Sequence, residues 1–206
     1  MSDSCPAKRF SLGTLRQWHW VSAAICLIGM LLFAVTGITL NHAEQIEADP
    51  EVITLTLVLP EPLLAMLQEQ GSKHEAPLPN AVREWLWREH KLGIPAHAAQ
   101  WSAEEIYLTL PRPGGDGWLS VDTATGDITY EVTDQGWISY MNDLHKGRHT
   151  GPMWSWFIDV FAVLCVIFCL TGLLLLRRHA RARSMTWPMV GLGLLLPLFL
   201  IILFMQ

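Results

Sequence analysis

Three apolar runs, each nearly long enough to cross a bilayer, constrain this 206-residue chain more than any other feature. The first covers residues 20–40 and carries no charge. The second covers about 153–176 and is interrupted only by Asp159; the third covers 187–205. A hydrocarbon core of ~30 Å needs ~20 apolar residues in a helix. Charged residues make up only 16% of the chain, where soluble domains average nearer ~25%. Many of the ten Trp sit beside the apolar runs, which suits amphipathic rings at a membrane interface. The first run is too long for the apolar stretch of a leader and is followed by no small-residue cleavage site. It therefore reads as a retained span. The net charge of −5 comes without a basic stripe or a nucleic-acid motif, so no nucleic-acid partner is expected.

Basic residues predict the orientation. Lys8, Arg9 and Arg16 precede the first run, and Arg177, Arg178, Arg181 and Arg183 lie between the second and third. By the positive-inside rule both segments are cytoplasmic. The intervening stretch, which holds 17 of the 19 acids, then faces outward; the other two are Asp3 and Asp159. The expected division is a cytoplasmic N-terminus at 1–17, a first span at 18–41 and an outward domain at 42–152. A second span follows at 153–177, a cytoplasmic loop at 178–186 and a third span at 187–206. Pro188 and Pro197 predict a kinked or irregular third span. The cysteines are Cys5, Cys26, Cys165 and Cys169, so the outward domain has no disulfide framework of its own. Cys165 and Cys169 share a helix face, either as small apolar residues or as a metal or redox pair.

The outward stretch shows a short amphipathic helix at 81–91, stopped by Gly93 and Pro95. Residues 105–110 alternate like a strand, 111–117 read as a turn, and 117–121 and 127–132 read as two further strands. Between the last two, Asp122 to Gly126 forms a hairpin turn. The fold class is thus an α-helical membrane protein of about three transmembrane helices, with a small α+β extracytoplasmic domain inserted between the first and second.

The string VDTATGDITYEV resembles the strand–Thr-Gly–strand signature of PepSY domains. Its flanks extend the likeness: RQWHW at 16–20 before the first span, LHKG at 144–147 before the second, and a Thr-Gly pair in each span, Thr36-Gly37 and Thr171-Gly172. In this order they resemble the PepSY-associated transmembrane family, from about Arg16 to Arg178. Larger relatives include inner-membrane siderophore reductases that carry two b-type haems between histidines at opposite sides of the membrane. The resemblance implies a bacterial inner-membrane protein with a periplasmic PepSY-like domain and one or two haem b groups. This chain is shorter than those relatives. The Thr-Gly pairs themselves allow close helix approach or leave room for a flat macrocycle.

A membrane haem needs neutral imidazoles on its iron. Of the eight His, His74, His90 and His97 fall in polar stretches of the outward domain and read as domain residues. The others lie at the edges of the spans. His19 and His179 fall at the cytoplasmic edge, His42 and His145 at the outer edge, with His149 as substitute for His145. His19 and His42 are 23 residues apart, ~34 Å along a helix. The candidate ligands of haem iron are therefore His42, His145, His19 and His179; the bland alternative makes them interfacial residues. His145 must sit on a turn or surface helix before the second span. Asp159, an acid inside a span, is a functional candidate by default, bonding a ligand His or pairing with Arg148.

Two functions follow. One is a membrane electron-transfer protein or oxidoreductase subunit, passing electrons to or from a periplasmic redox protein, a flavoprotein or a ferric chelate. The other is a non-catalytic anchor that presents a PepSY-like domain to a partner or a peptidase. Membrane lipid surrounds the spans in either case, and a homo- or hetero-oligomer would supply further walls for a haem.

Overall fold

The computed structural model describes residues 13–71, 75–180 and 183–205. Cys5, Lys8, Arg9, Asp3, His74 and Arg181 lie outside the described residues. Among the described residues three helices are long and apolar enough to cross a membrane: α1 (Leu15–Asn41), α5 (Gly151–His179) and α6 (Thr186–Phe204). Their side chains are largely exposed, as expected of surfaces whose solvent is lipid. Helix α6 runs unbroken from Thr186 to Phe204 with both prolines inside it. Pro188 falls in the first turn, where its missing N–H has no intrahelical acceptor to lose, and the helix continues through Pro197.

Between α1 and α5 the chain folds into β1 (Glu51–Val58), α2 (Glu61–Gln70), β2 (Glu75–Pro77), α3 (Asn80–His90), β3 (Ala98–Trp101), β4 (Glu105–Thr109), β5 (Gly115–Asp122), β6 (Asp127–Asp134) and α4 (Gly136–Lys146). The strands form one sheet in the order β1-β6-β5-β4-β3-β2, antiparallel throughout. The meander expected from 105 to 132 is present as β4, β5 and β6. It is only half of the sheet. The alternating run EVITLTLV forms the edge strand β1, and β2 and β3 extend the other side. The turn before β5 is tighter than expected, because Arg112 bridges Gly115 and the strand begins there. The helix expected at 81–91 is α3, and it is not Gly93 that ends it. Lys91 takes the left-handed conformation (φ 59°) and its N–H closes on Leu86 and Trp87.

The core lies on one face of this sheet. Leu67 of α2 and Val82 and Leu86 of α3 meet Ile106, Leu108, Leu119, Val121 and Ile128 from alternate strand positions, all buried. At the β5–β6 turn, Asp122 Oδ1 accepts the N–H groups of Ala124 and Thr125, each at 2.8 Å. These bonds hold its carboxyl below the usual carboxylate range. Gly126 follows with φ 78°, and its carbonyl accepts from Leu59 N–H at 2.8 Å. Because β6 returns beside β1, with Glu51 opposite Asp134, the chain leaves the sheet where it entered. That topology delivers α4 to the end of α1.

By internal contacts the chain divides into two units, Met1–Leu32 with Phe157–Gln206, and Phe33–Trp156. The second includes the last turns of α1 and the first residues of α5 with the sheet domain and α4.

Candidate functional site

Within Phe33–Trp156, α4 presents His145 to the end of α1. Its Nδ1 lies 2.7 Å from Thr36 Oγ1, its ring centroid 4.9 Å from that of Phe33, and its Cε1 3.6 Å from where a Cβ on Gly37 would stand. Asn142, one turn earlier and buried, takes a 2.7 Å hydrogen bond from Thr39 Oγ1. Trp154 donates its indole N–H to Leu144 O at 2.9 Å.

Within the other unit, α1 presents His19 to α5 in the same manner. Its Nδ1 lies 3.1 Å from Thr171 Oγ1 and 3.3 Å from Phe168 O, its ring stacks on Phe168 at 4.9 Å and 11°, and its Cε1 is 3.1 Å from a Cβ on Gly172. Both clasps are thus built by Phe-x-x-Thr-Gly, residues 33–37 and 168–172. The phenyl ring flanks the imidazole, the hydroxyl holds Nδ1 and the glycine admits the ring edge. Residue for residue, Thr36, Thr171, Phe33 and Phe168 are what the sequence reading missed as His partners. The repeated Phe before each Thr-Gly pair was the signal available.

The hydrogen bonds assign the tautomer. Thr171 Oγ1 gives its one proton to Ile167 O or Phe168 O, and Phe168 O can only accept. His19 Nδ1 must therefore carry hydrogen. Thr36 Oγ1 lies 2.7 Å from His145 Nδ1 and 3.2 Å from Phe33 O, so its hydroxyl can donate to either. His42 and His179 reach the state of His19 by another route, with Nδ1 on the carbonyl one turn back, Ile38 O at 3.0 Å and Leu175 O at 2.8 Å. Among the described residues, Nε2 of none of the four makes a hydrogen bond. Such an imidazole has one lone pair free for a metal or a proton. His97 differs, with Nε2 2.6 Å from Thr109 O, and His90 stands edge-on to Trp85.

The structure gives each clasp one of the four candidates. His19 and His145 are half-buried in the clasps, while His42 and His179 are exposed on their own helices. His149 is exposed in a left-handed turn (φ 56°). Lys146, Arg148 and His149 line a cleft of about 290 Å³ beside α4, and Arg148 stands 4.0 Å from Asp143. Asp159 is exposed on α5. Cys26, Cys165 and Cys169 are free thiols. Among the described residues no three His, Cys, Asp or Glu gather as a metal cage.

Three spans with an antiparallel α+β domain between the first two define a polytopic membrane protein with an inserted domain. The chain belongs to the PepSY_TM-like family, whose model matches residues 10–206. No match was found among curated proteins or among solved structures.

Proposed function

We propose that this chain is a bacterial inner-membrane electron-transfer protein that holds b-type haem and exchanges electrons with a periplasmic redox protein or a ferric chelate. The single observation that carries the reading is the shared arrangement of four histidines, with Nδ1 held on an oxygen and Nε2 left free; in His19, His42 and His179 that oxygen is a carbonyl, so Nδ1 carries the hydrogen. A metal-bound histidine ordinarily donates its second ring N–H in this way, which fixes the ring and raises its basicity. The donor set therefore fits the group. His42 with His145, and His19 with His179, are the residues that would hold it. A bound haem supplies a one-electron couple at its iron. The chain's own part is to orient the imidazoles, through Thr36 and Thr171, and to surround them with Phe33 and Phe168. Lys146 and Arg148, one and three residues after His145, are the cations that would be available to the carboxylates of a macrocycle.

The arginines at 177, 178 and 183 support an orientation with the sheet domain in the periplasm and the N-terminus in the cytoplasm. A second reading also has an observation in its favour. Both clasps join separate helices and would serve as locks without any cofactor, leaving a membrane anchor that displays its sheet domain to a partner.

A reduced-minus-oxidised visible spectrum of the protein purified from haem-sufficient cells separates the two. The expected result is a sharp b-type α band that is lost in His145→Ala. A folded, colourless protein refutes the electron-transfer reading and leaves the anchor.

A further inference from the structure

Helix α4 is inside out for a helix in water. Four of its polar residues face protein: Asn142 is 6% exposed, and Ser139, Asp143 and His145 are half-buried, while Lys146 at its end is exposed. Asp143 Oδ2 accepts the N–H of Gly114 at 2.9 Å, which ties this face to the β4–β5 turn. Trp137 and Tyr140, one turn apart on the opposite side, stack on each other at 5.6 Å and stay open, Trp137 at 72% exposure. A water-facing helix carries its polar stripe outward. The reversal calls for an apolar covering.

The chain says what covers it. His145 reaches Thr36, five residues before the end of α1, ~7.5 Å down the helix at 1.5 Å per residue. Thr36 belongs to the uncharged run that forms a candidate span. At its other end only residues 147–150 separate α4 from α5, and Trp154 of α5 is bonded to Leu144. A helix of 11 residues fastened in this way to two spans stands at the level where they leave the hydrocarbon.

We propose that α4 lies in the membrane interface, with its Trp137–Tyr140 face covered by lipid headgroups and the first methylenes of the acyl chains. Indole and phenol rings favour that layer, because each has an apolar body and a polar tip. Lys146 at the end of the helix can extend its ammonium to the phosphates. The inference rests on α1 and α5 lying in a bilayer and not on haem, so a colourless protein leaves it standing.

Hydroxyl-radical footprinting of the unmodified protein in phospholipid nanodiscs, one copy per disc, tests it by mass spectrometry. Trp87 on α3 is the internal reference, being 58% exposed. Lipid cover should leave Trp137 oxidised about fivefold less than Trp87, as for an interfacial helix. Equal oxidation of the two overturns the proposal. Protection of Trp137 that appears only in discs holding two copies also overturns it, by assigning the face to a second chain. In a parallel measurement Trp137→Asp should retain the circular dichroism of the parent and lose the protection of Tyr140.

Discussion

His145 and His19 differ in how many acceptors hold them, and the difference is measurable. Among the described residues Thr36 Oγ1 alone bonds His145 Nδ1, whereas His19 Nδ1 has Phe168 O besides Thr171 Oγ1. Thr36→Val should therefore cost more than Thr171→Val, by about 1 kcal/mol for a stranded part-buried ring nitrogen. Thermal unfolding in detergent would show the larger drop in midpoint for Thr36→Val; equal drops would refute the assignment. Asp122 offers a pH prediction. Its folded pKa is lowered by the two N–H groups it accepts, so its contribution is present above the unfolded pKa and disappears as pH falls through the folded value. Asp122→Asn should be less stable than the parent at neutral pH, and the gap should close on acidification. A gap that widens in acid would contradict the hydrogen-bond origin of the shift. The Asp122–Gly126 turn was readable because Asp and Gly in that spacing favour few backbone shapes. The clasps were not, since a hydroxyl reveals its partner only when helices meet.

At the scale of elements, Gly114 is the hinge between sheet and α4. It has φ 76°, and a Cβ there would stand 2.7 Å from the Tyr140 backbone. Gly114→Ala thus adds a clash with main chain to a strained φ, and it should destabilise the domain by about 2 kcal/mol or more. Denaturation followed by the fluorescence of the domain's tryptophans measures that loss. Leu119→Ala, at the buried centre of the sheet, should cost about 2–5 kcal/mol. Strands β4, β5 and β6 were legible from alternation and turn residues. β1 alternates as clearly in Thr54, Leu55, Thr56 and Leu57 but precedes a proline-rich stretch that obscured it. β2 and β3 are too short to show a period, with three and four residues. Helix α4 has no stripe of the usual sense, because it turns its polar side to protein.

For the whole molecule, the clustered arginines after α5 predict a testable topology. An alkaline phosphatase reporter inserted near residue 71, at the end of α2, should be active, since that enzyme matures only outside the cytoplasm. The same reporter placed after Arg183 should be inactive. The reverse pattern would invert the orientation and exchange the two membrane faces of the histidine pairs. Within the inserted domain, stability comes from one apolar layer between the sheet and α2 with α3. The spans have no such layer and depend on lipid.

Three runs apolar enough to cross a membrane, an α+β domain between the first two and the family resemblance could all be read from the amino acids in order. Those properties follow from runs, periods and ordered motifs, all of them local along the chain. Folding adds that the two Phe-x-x-Thr-Gly strings each receive a histidine from another helix, that Nδ1 rather than Nε2 is the bonded atom, and that β6 returns beside β1. Each of these is a meeting of residues distant in sequence. His19 and Thr171 lie 152 positions apart, and His145 and Thr36 lie 109 apart. No period along a chain encodes a hydrogen bond that exists only once helices and strands have packed.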